Sequence, residues 1–357
     1  MASIEEKFAE LVAAGFQPLG NPPVIPLPLP DGVGTFFTFV TTGGPVTIYH
    51  HPDVGAFEVH GAILTAYLGQ QGPQGDLGYP VSDEYDNVVG GQVVGRVNDF
   101  QAGSIFWDAA SGEVQVVMSV PLPTTDFEII VGIDVSTFQG TIDWQRVATQ
   151  GTTDGETVQF AYIKASEGNT GRDARFAANW ANSNGLLPRG AYHFFRATSV
   201  VDGTRPQADN FIAVLNATGD IGELPPMVDV ESLPAGVTAA QAEASLMFFL
   251  QIVEQAFGRR LVIYTYPSFW SHGMANSQTF SQSFHLWIAN YGAKRADGGF
   301  EARRRPPVIP GGWPTFSIWQ NAVKPGVPGI QGLVDRDVAV IPSNVDLATF
   351  LLQIPGQ

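Results

Sequence analysis

Two carboxylates one residue apart, Asp229 and Glu231, end the run Pro225-Pro226-Met227-Val228-Asp229-Val230-Glu231. Two prolines open this run and apolar, β-branched residues fill it, the composition of a short buried strand. Strand side chains alternate faces, so both acids point the same way with Cα atoms about 6.5–7 Å apart, and Met227 shares their face. Like charge and desolvation both raise a carboxyl pKa, so one of the two can keep its proton near neutrality, as a general acid must. A strand-end pair that merely caps a loop is the alternative.

The elements around this pair argue for chemistry. From residue 126 onward strand-like runs alternate with helical ones, the pattern of parallel β/α architecture. The strands are expected at 128–134, 159–165, 189–195, 226–231, 261–265, 285–290, 316–320 and 333–338. Helices are expected at 173–185, 206–217 and 239–257, the last with Ala242, Leu246, Phe249, Leu250, Val253 and Phe257 at helical spacing. Eight strands suggest a closed TIM-type (β/α)8 barrel, and the uneven connections an irregular one with short or missing helices. Barrel sites are built at the carboxyl ends of the strands. There stand Asp134, Glu167, Tyr192, the Asp229–Glu231 pair, Tyr264, Trp287, Trp319 and Asp335. Aromatic rings beside carboxylates suit a sugar, whose C–H faces stack while its hydroxyls hydrogen-bond.

In that order these residues resemble the lysozymes of glycoside hydrolase family 25. The resemblance spans about 130–350. It rests on Asp134-Val135-Ser136 with Gln139-Gly140 and Ile142-Asp143-Trp144, on Lys164-Ala165-Ser166-Glu167-Gly168, on Gly190-Ala191-Tyr192-His193-Phe194, on Asp229-Val230-Glu231 and on Trp319-Gln320. It implies an N-acetylmuramidase that cleaves the β-1,4 bond from N-acetylmuramic acid to N-acetylglucosamine in peptidoglycan. By motif, Glu231 would be the general acid, Asp229 its partner at the anomeric carbon, and Asp134 and Asp335 the flanking acids. Glu167, Tyr192, Tyr264, Trp287 and Trp319 would contact substrate. The eighth strand departs from the family pattern, with Asp335-Arg336-Asp337 where an aspartate, an aliphatic residue and asparagine or aspartate are usual. Asp335 fits the cleft better than Asp337. The insert 293–312, with Arg303-Arg304-Arg305, is expected to be a solvated loop, or else a basic lip over an anionic strand.

Other chemistries fare worse. No H-E-x-x-H or G-x-S-x-G run is present, which argues against a zinc hydrolase and a serine elbow. His193 reads as structural. The D-x-E strand end is also similar to that of family 18 chitinases, but Leu224 and Met227 stand where their earlier acids should be. From another class, an inactive barrel could serve as a wall-binding or virion structural protein; retention of every acid argues against it. No metal or cofactor is expected.

The first third of the chain is a different molecule. Residues 3–14 suit a short amphipathic helix with capping-box spacing between Ser3 and Glu6, and six prolines between Pro18 and Pro30 follow. Then Thr47-Ile48-Tyr49-His50 and Gly55-Ala56-Phe57-Glu58-Val59 return as Ser104-Ile105-Phe106-Trp107 and Gly112-Glu113-Val114-Gln115-Val116 at a constant offset of 57. Each copy reads as a β-hairpin, and two stacked hairpins sharing a core are expected. Between them lies Leu77-Gly78-Tyr79-Pro80, ending in Asp83-Glu84. With the Ala102-Gly103-Ser104-Ile105 entry to the second copy, the stretch from about 45 to 117 resembles the LGFP repeat of envelope-associated proteins in mycolic-acid-containing actinobacteria. The resemblance implies a module that holds an envelope polymer; a β-rich spacer is the alternative.

Up to residue 125 the basic side chains are Lys7 and Arg96 against thirteen acidic ones, while the remainder has sixteen against twenty-one. The boundary is placed there: a repeat module over 1–122, a Pro/Thr linker at 123–127 and a catalytic barrel over 128–357. With 357 residues of which 44% are hydrophobic, the chain can bury large cores. Its formal charge of −16 argues against nucleic acid or an anionic membrane as partner. Cysteine is absent, which excludes disulfides and a thiol nucleophile. The start of the sequence lacks the features of a signal peptide and no run suits a membrane span. The expectation is a monomeric phage endolysin made in the host cytoplasm and acting on the wall, with a secreted host autolysin as the alternative.

Overall fold

Ser3 caps the first helix by accepting from the Glu6 amide, and Glu6 returns the contact to the Ser3 amide, as the spacing predicts. The computed structural model describes residues 2–89, 92–118, 127–292, 294–302, 306–353 and 355. The chain divides into two units, Met1–Val120 and Pro121–Gln357. The expected linker lies outside the described residues up to 126, and Phe127 already begins a strand.

The first unit runs α1 (Ile4–Ala13), β1 (Leu27–Pro28), β2 (Thr35–Thr41), β3 (Gly44–His51), β4 (Gly55–His60), α2 (Gly61–Gly69), β5 (Tyr85–Val89), β6 (Gln92–Phe100), β7 (Gly103–Asp108) and β8 (Val114–Met118). The offset of 57 maps the hairpin β3–β4 onto β7–β8, each the end of a four-stranded antiparallel sheet in the order β1 to β4 and β5 to β8. Tyr49 and Val59 of one copy and Phe100 and Ile105 of the other join a single core, so neither copy buries its apolar face alone. The Leu77-Gly78-Tyr79-Pro80 run belongs to that core: Leu77, Tyr79 and Pro80 are buried. Gly78 turns the chain at φ +67°, and an added Cβ there would meet the Gln101 side chain at 2.5 Å. The run is therefore an architectural part of the repeat. The helix α2 was not expected; Gly61 and Gly69 at its ends hid the apolar face of Ile63, Leu64 and Tyr67.

The second unit runs β9 (Phe127–Val135), α3 (Trp144–Thr149), β10 (Phe160–Glu167), β11 (Gly171–Arg172), α4 (Phe176–Ser183), β12 (Arg189–Phe194), α5 (Arg205–Asn216), β13 (Met227–Asp229), α6 (Ala239–Phe257), β14 (Val262–Thr265), α7 (Pro267–Gly273), β15 (Leu286–Ala289), β16 (Ile318–Lys324), β17 (Val334–Pro342) and α8 (Leu347–Leu352). Eight of these strands close a barrel in the order β9, β10, β12, β13, β14, β15, β16, β17 and back to β9. The eight expected strands are all present, and the three expected helices are α4, α5 and α6. Among the described residues no helix is long and apolar enough to cross a membrane.

Two corrections concern direction and extent. The eighth strand, β17, is antiparallel to both β16 and β9, because only the short turn 325–333 separates it from β16 and a parallel return needs a crossover. Its amino end, not its carboxyl end, therefore lies at the mouth beside the carboxyl end of β9. The strand β13 stops at Asp229, so Glu231 stands just beyond it instead of on it.

Side chains alternate between the barrel interior and the helix layer. Inside lie Ile130, Phe160, Tyr162, Met227, Val262, Trp287, Ile318, Ala339 and Ile341; outside, Ile133, Ile163, Val228, Ile263 and Ile288 pack on the helices. Two glycines make room for the interior rings. A Cβ on Gly132 would fall 2.3 Å from the Phe160 ring, and one on Gly190 2.3 Å from Tyr162. This packed plug is the floor on which the polar mouth is built.

Candidate active site

Nine residues from seven barrel strands and their ends line one cavity of about 140 Å³: Asp134, Tyr192, Met227, Asp229, Glu231, Tyr264, Tyr291, Gln320 and Asp335. The four acids expected in the cleft are all among them. So are Tyr192 and Tyr264, which reach the mouth because they sit one interior position above the apolar plug on β12 and β14.

Asp134 is fixed from two sides. In the β9–β17 pairing it faces Asp335 directly. From β16, on the far side of β17, Gln320 donates its Nε2–H to Asp134 Oδ2, while the hydroxyls of Tyr264, at 2.7 Å, and Tyr291 donate to Gln320 Oε1. This chain fixes the Gln320 amide orientation and leaves Asp134 the acceptor it needs. Asp229 is buried, and its Oδ1 has no hydrogen-bond partner among the described residues. The Tyr266 hydroxyl donates to the main-chain oxygen of Glu231 at 3.3 Å, which holds the segment past β13 against the rim.

Burial dominates the electrostatics. It pushes Asp229 well above the carboxylate range, and the neighbouring Glu231 adds to the shift. Burial and then Asp335 do the same to Asp134, against the Gln320 hydrogen bond. Asp335 is pushed up to about 7, chiefly by burial. Glu231 is raised by burial, with Lys164 and Arg196 pulling the other way. The site can therefore hold both a protonated and an ionised carboxyl near neutrality, the state acid–base work requires.

Three expected contacts lie elsewhere. Trp287 faces inward but one layer too deep: it is fully buried against the rings of Tyr162 and Tyr264, at centroid distances of 4.8 and 5.7 Å. Trp319 faces the helix layer, where its indole N–H donates to the Asn290 carbonyl at 2.8 Å. Glu167 stands outside the cavity, paired with Lys164 at 3.0 Å and Arg196 at 2.6 Å. Conversely, Gln320 and Tyr291 were not expected among the lining residues. The signal for Gln320 was present: in Ile318-Trp319-Gln320 a period of two puts Trp319 and Gln320 on opposite faces, and a mid-strand amide needs a polar partner.

Asp335 lines the cavity, whereas Asp337, two residues along the same face, is buried beneath it, with no hydrogen bond to either carboxyl oxygen among the described residues. The Trp287 indole N–H faces it without closing a bond. Burial, then Asp134 and Asp335, raise its pKa well above the usual range. His193 is structural as expected: it hydrogen-bonds Ser166 at 2.8 Å and lies against the Phe211 and Phe249 rings, and burial lowers it to about 4. The triplet Arg303-Arg304-Arg305 lies outside the described residues.

A barrel of this topology, with these acids at its mouth, matches a known family. The model described as glycosyl hydrolases family 25 aligns with residues 133–330, more than half of the sequence. The chain belongs to this family. Lysozyme M1 of Streptomyces globisporus is 34% identical over 217 residues, 58% of this chain and 67% of that protein. An N,O-diacetylmuramidase of Chalaropsis sp is 32% identical over 204 residues, 54% of this chain and 88% of that one. The family GH25 lysozyme from Aspergillus fumigatus superposes with a TM-score of 0.50 at 26% identity, covering 63% of this chain and all of that structure. LGFP repeats match residues 19–75 and 77–119, one for each sheet of the first unit. As a family 25 member the protein is a glycoside hydrolase of the lysozyme class.

Proposed function

We propose that the protein cleaves the β-1,4 bond between N-acetylmuramic acid and N-acetylglucosamine in peptidoglycan, with Glu231 as proton donor and the substrate's own 2-acetamido group as nucleophile. The observation that carries this reading is the orphan Oδ1 of Asp229 in the cavity wall. A buried acceptor without a partner costs about 1–3 kcal/mol, and an acetamido N–H would satisfy it. In the reaction Glu231 gives its proton to the leaving glycosidic oxygen while the acetamido carbonyl oxygen bonds to the anomeric carbon. Asp229 accepts the amide N–H and offsets the positive charge of the cyclic intermediate. Glu231, now a carboxylate, takes a proton from water as that water opens the ring. Two displacements give net retention. Asp134, held by Gln320, and Asp335 lie close enough to bias the protonation of the pair.

NMR of the nascent reducing end tests the mechanism. A β-anomer should appear first; an initial α-anomer would mean inversion and exclude it.

We further propose that the first unit holds the enzyme on an actinobacterial envelope, supported by its two LGFP repeats, and that the protein acts as a monomer and a phage endolysin. Expression inside a mycolic-acid-containing actinobacterium, followed by permeabilisation of its membrane, should clear the culture. A culture that stays turbid while purified wall is digested would exclude the endolysin role.

A further inference from the structure

The geometry points to Phe138 as a stacking platform for a hexosamine ring of the glycan strand outside the catalytic cavity, an inference that rests on the glycan-cleaving reading above. Phe138 is 88% exposed, and among the described residues no other Phe, Tyr or Trp side chain is exposed. It occupies the tip of the turn Thr137–Gln139, immediately after β9 carries Asp134 to the mouth. A single exposed apolar residue is ordinary on a protein surface; what distinguishes this one is how firmly its turn is held.

The Ser136 amide donates to Gln139 Oε1 at 2.8 Å and the Phe138 amide to Ser136 Oγ at 3.2 Å, so the turn is capped in both directions. Gln139 Nε2 donates to the carbonyl of Leu333, two residues before Asp335, at 3.3 Å. On the other side the Thr137 amide donates to Asp173 Oδ2 at 2.8 Å. The turn is thus tied to both strands whose ends carry the facing acids Asp134 and Asp335. A ring presented from a fixed backbone needs to order little but itself when it binds.

The size of the cavity supplies the need. At about 140 Å³ it is well below the roughly 300–1,000 Å³ of pockets that enclose a drug-sized ligand. A polymer whose scissile bond enters here must lie mostly across the rim. Two partly buried aromatics of the barrel are already engaged: the Phe194 ring carries the Lys164 ammonium at 4.8 Å and the Arg196 guanidinium at 4.4 Å, and Tyr291 stacks on Phe300 at 5.0 Å. Phe138 is left largely in solvent, on the turn that follows the strand carrying Asp134, and the C–H face of a hexosamine is the part of the strand that an aromatic ring takes.

The test compares Phe138→Ala and Phe138→Trp with the wild type on polymeric glycan strands and on the shortest oligosaccharide cleaved. In the alanine variant KM for the polymer should rise about 3- to 10-fold, the range of one aromatic contact, with kcat held within two-fold by that same estimate. The loss should be larger on the polymer than on the short substrate, and tryptophan should restore it. Thermal unfolding should move little, because the residue is 88% exposed. An unchanged KM for the polymer, or an equal loss on both substrates, overturns the platform. Failure of the wild type to cleave either substrate overturns the glycan-cleaving reading itself, a result distinct from an active wild type matched by its alanine variant.

Discussion

Asp335 stands directly opposite Asp134 across an antiparallel strand pair, so two acids from the two ends of the barrel sequence meet at one point of the mouth. A parallel eighth strand would have carried Asp335 and Asp337 away from Asp134 in the opposite order. The reversal of β17 is what brings the flanking acids together, and Gln320 then holds one of them.

Glu231→Gln should keep the fold and lower kcat on peptidoglycan by about 10²–10⁴-fold, the usual worth of a general acid. Turbidity of a wall suspension reports it, with circular dichroism to verify the fold. Wild-type rate in this variant would remove Glu231 from the role of donor.

The pH–rate profile should fall on the alkaline side. The carboxyl cluster is raised by burial, with Asp335 at about 7, so it holds protons below that range and releases them as pH rises through it. The acid form of the donor is lost in the same direction. A kcat/KM that stays flat to pH 9 would show that no raised carboxyl is required.

Gln320→Leu should free Asp134 and leave the Tyr264 and Tyr291 hydroxyls without their acceptor. A hydrogen bond to a charged group is worth about 1.5–3 kcal/mol, or roughly 10–100-fold in rate if it acts in the transition state. Steady-state kinetics on glycan oligomers would measure this. A change in KM alone would make Gln320 a substrate-binding residue.

Asp337→Asn should stabilise the protein at pH 8 and change little at pH 4. A buried carboxyl whose native pKa is raised contributes stability that is fully present below its unfolded value, near 4, and is lost as pH rises through the native value. The amide removes that loss. Each kcal/mol recovered should raise Tm by about 2–4 °C in a unit of this size. Equal shifts in Tm at both pH values would reject a protonated Asp337.

A chain of residues 127–357 should cleave purified glycan at the full-length rate and bind whole actinobacterial envelopes more weakly. The two units have separate cores, so the second should fold alone. Pull-down on envelopes is the measurement, and equal binding by both forms would reject the anchoring role.

Much of this was readable from local patterns. The strand positions, the helices α4 to α6, the capping box of α1 and the 57-residue repeat are set by hydrophobic periodicity and capping chemistry within a few residues of each other, and the acids at strand ends followed from them. Depth was less legible. Tyr264 and Trp287 sit at paired positions on neighbouring strands, yet one lines the cavity and the other fills the plug, because tilt and the tyrosine hydroxyl lift only one of them to the mouth.

By itself the sequence determined the eight barrel strands, the helices α1 and α4 to α6, which residues could be acids at the mouth and that the first third is a repeat. The tertiary structure decided the direction of β17, the burial of Trp287, the outward face of Trp319 and the place of Gln320 at the centre of the site. Those depend on strand pairing and barrel closure between residues as far apart as Asp134 and Gln320, contacts that no local period encodes.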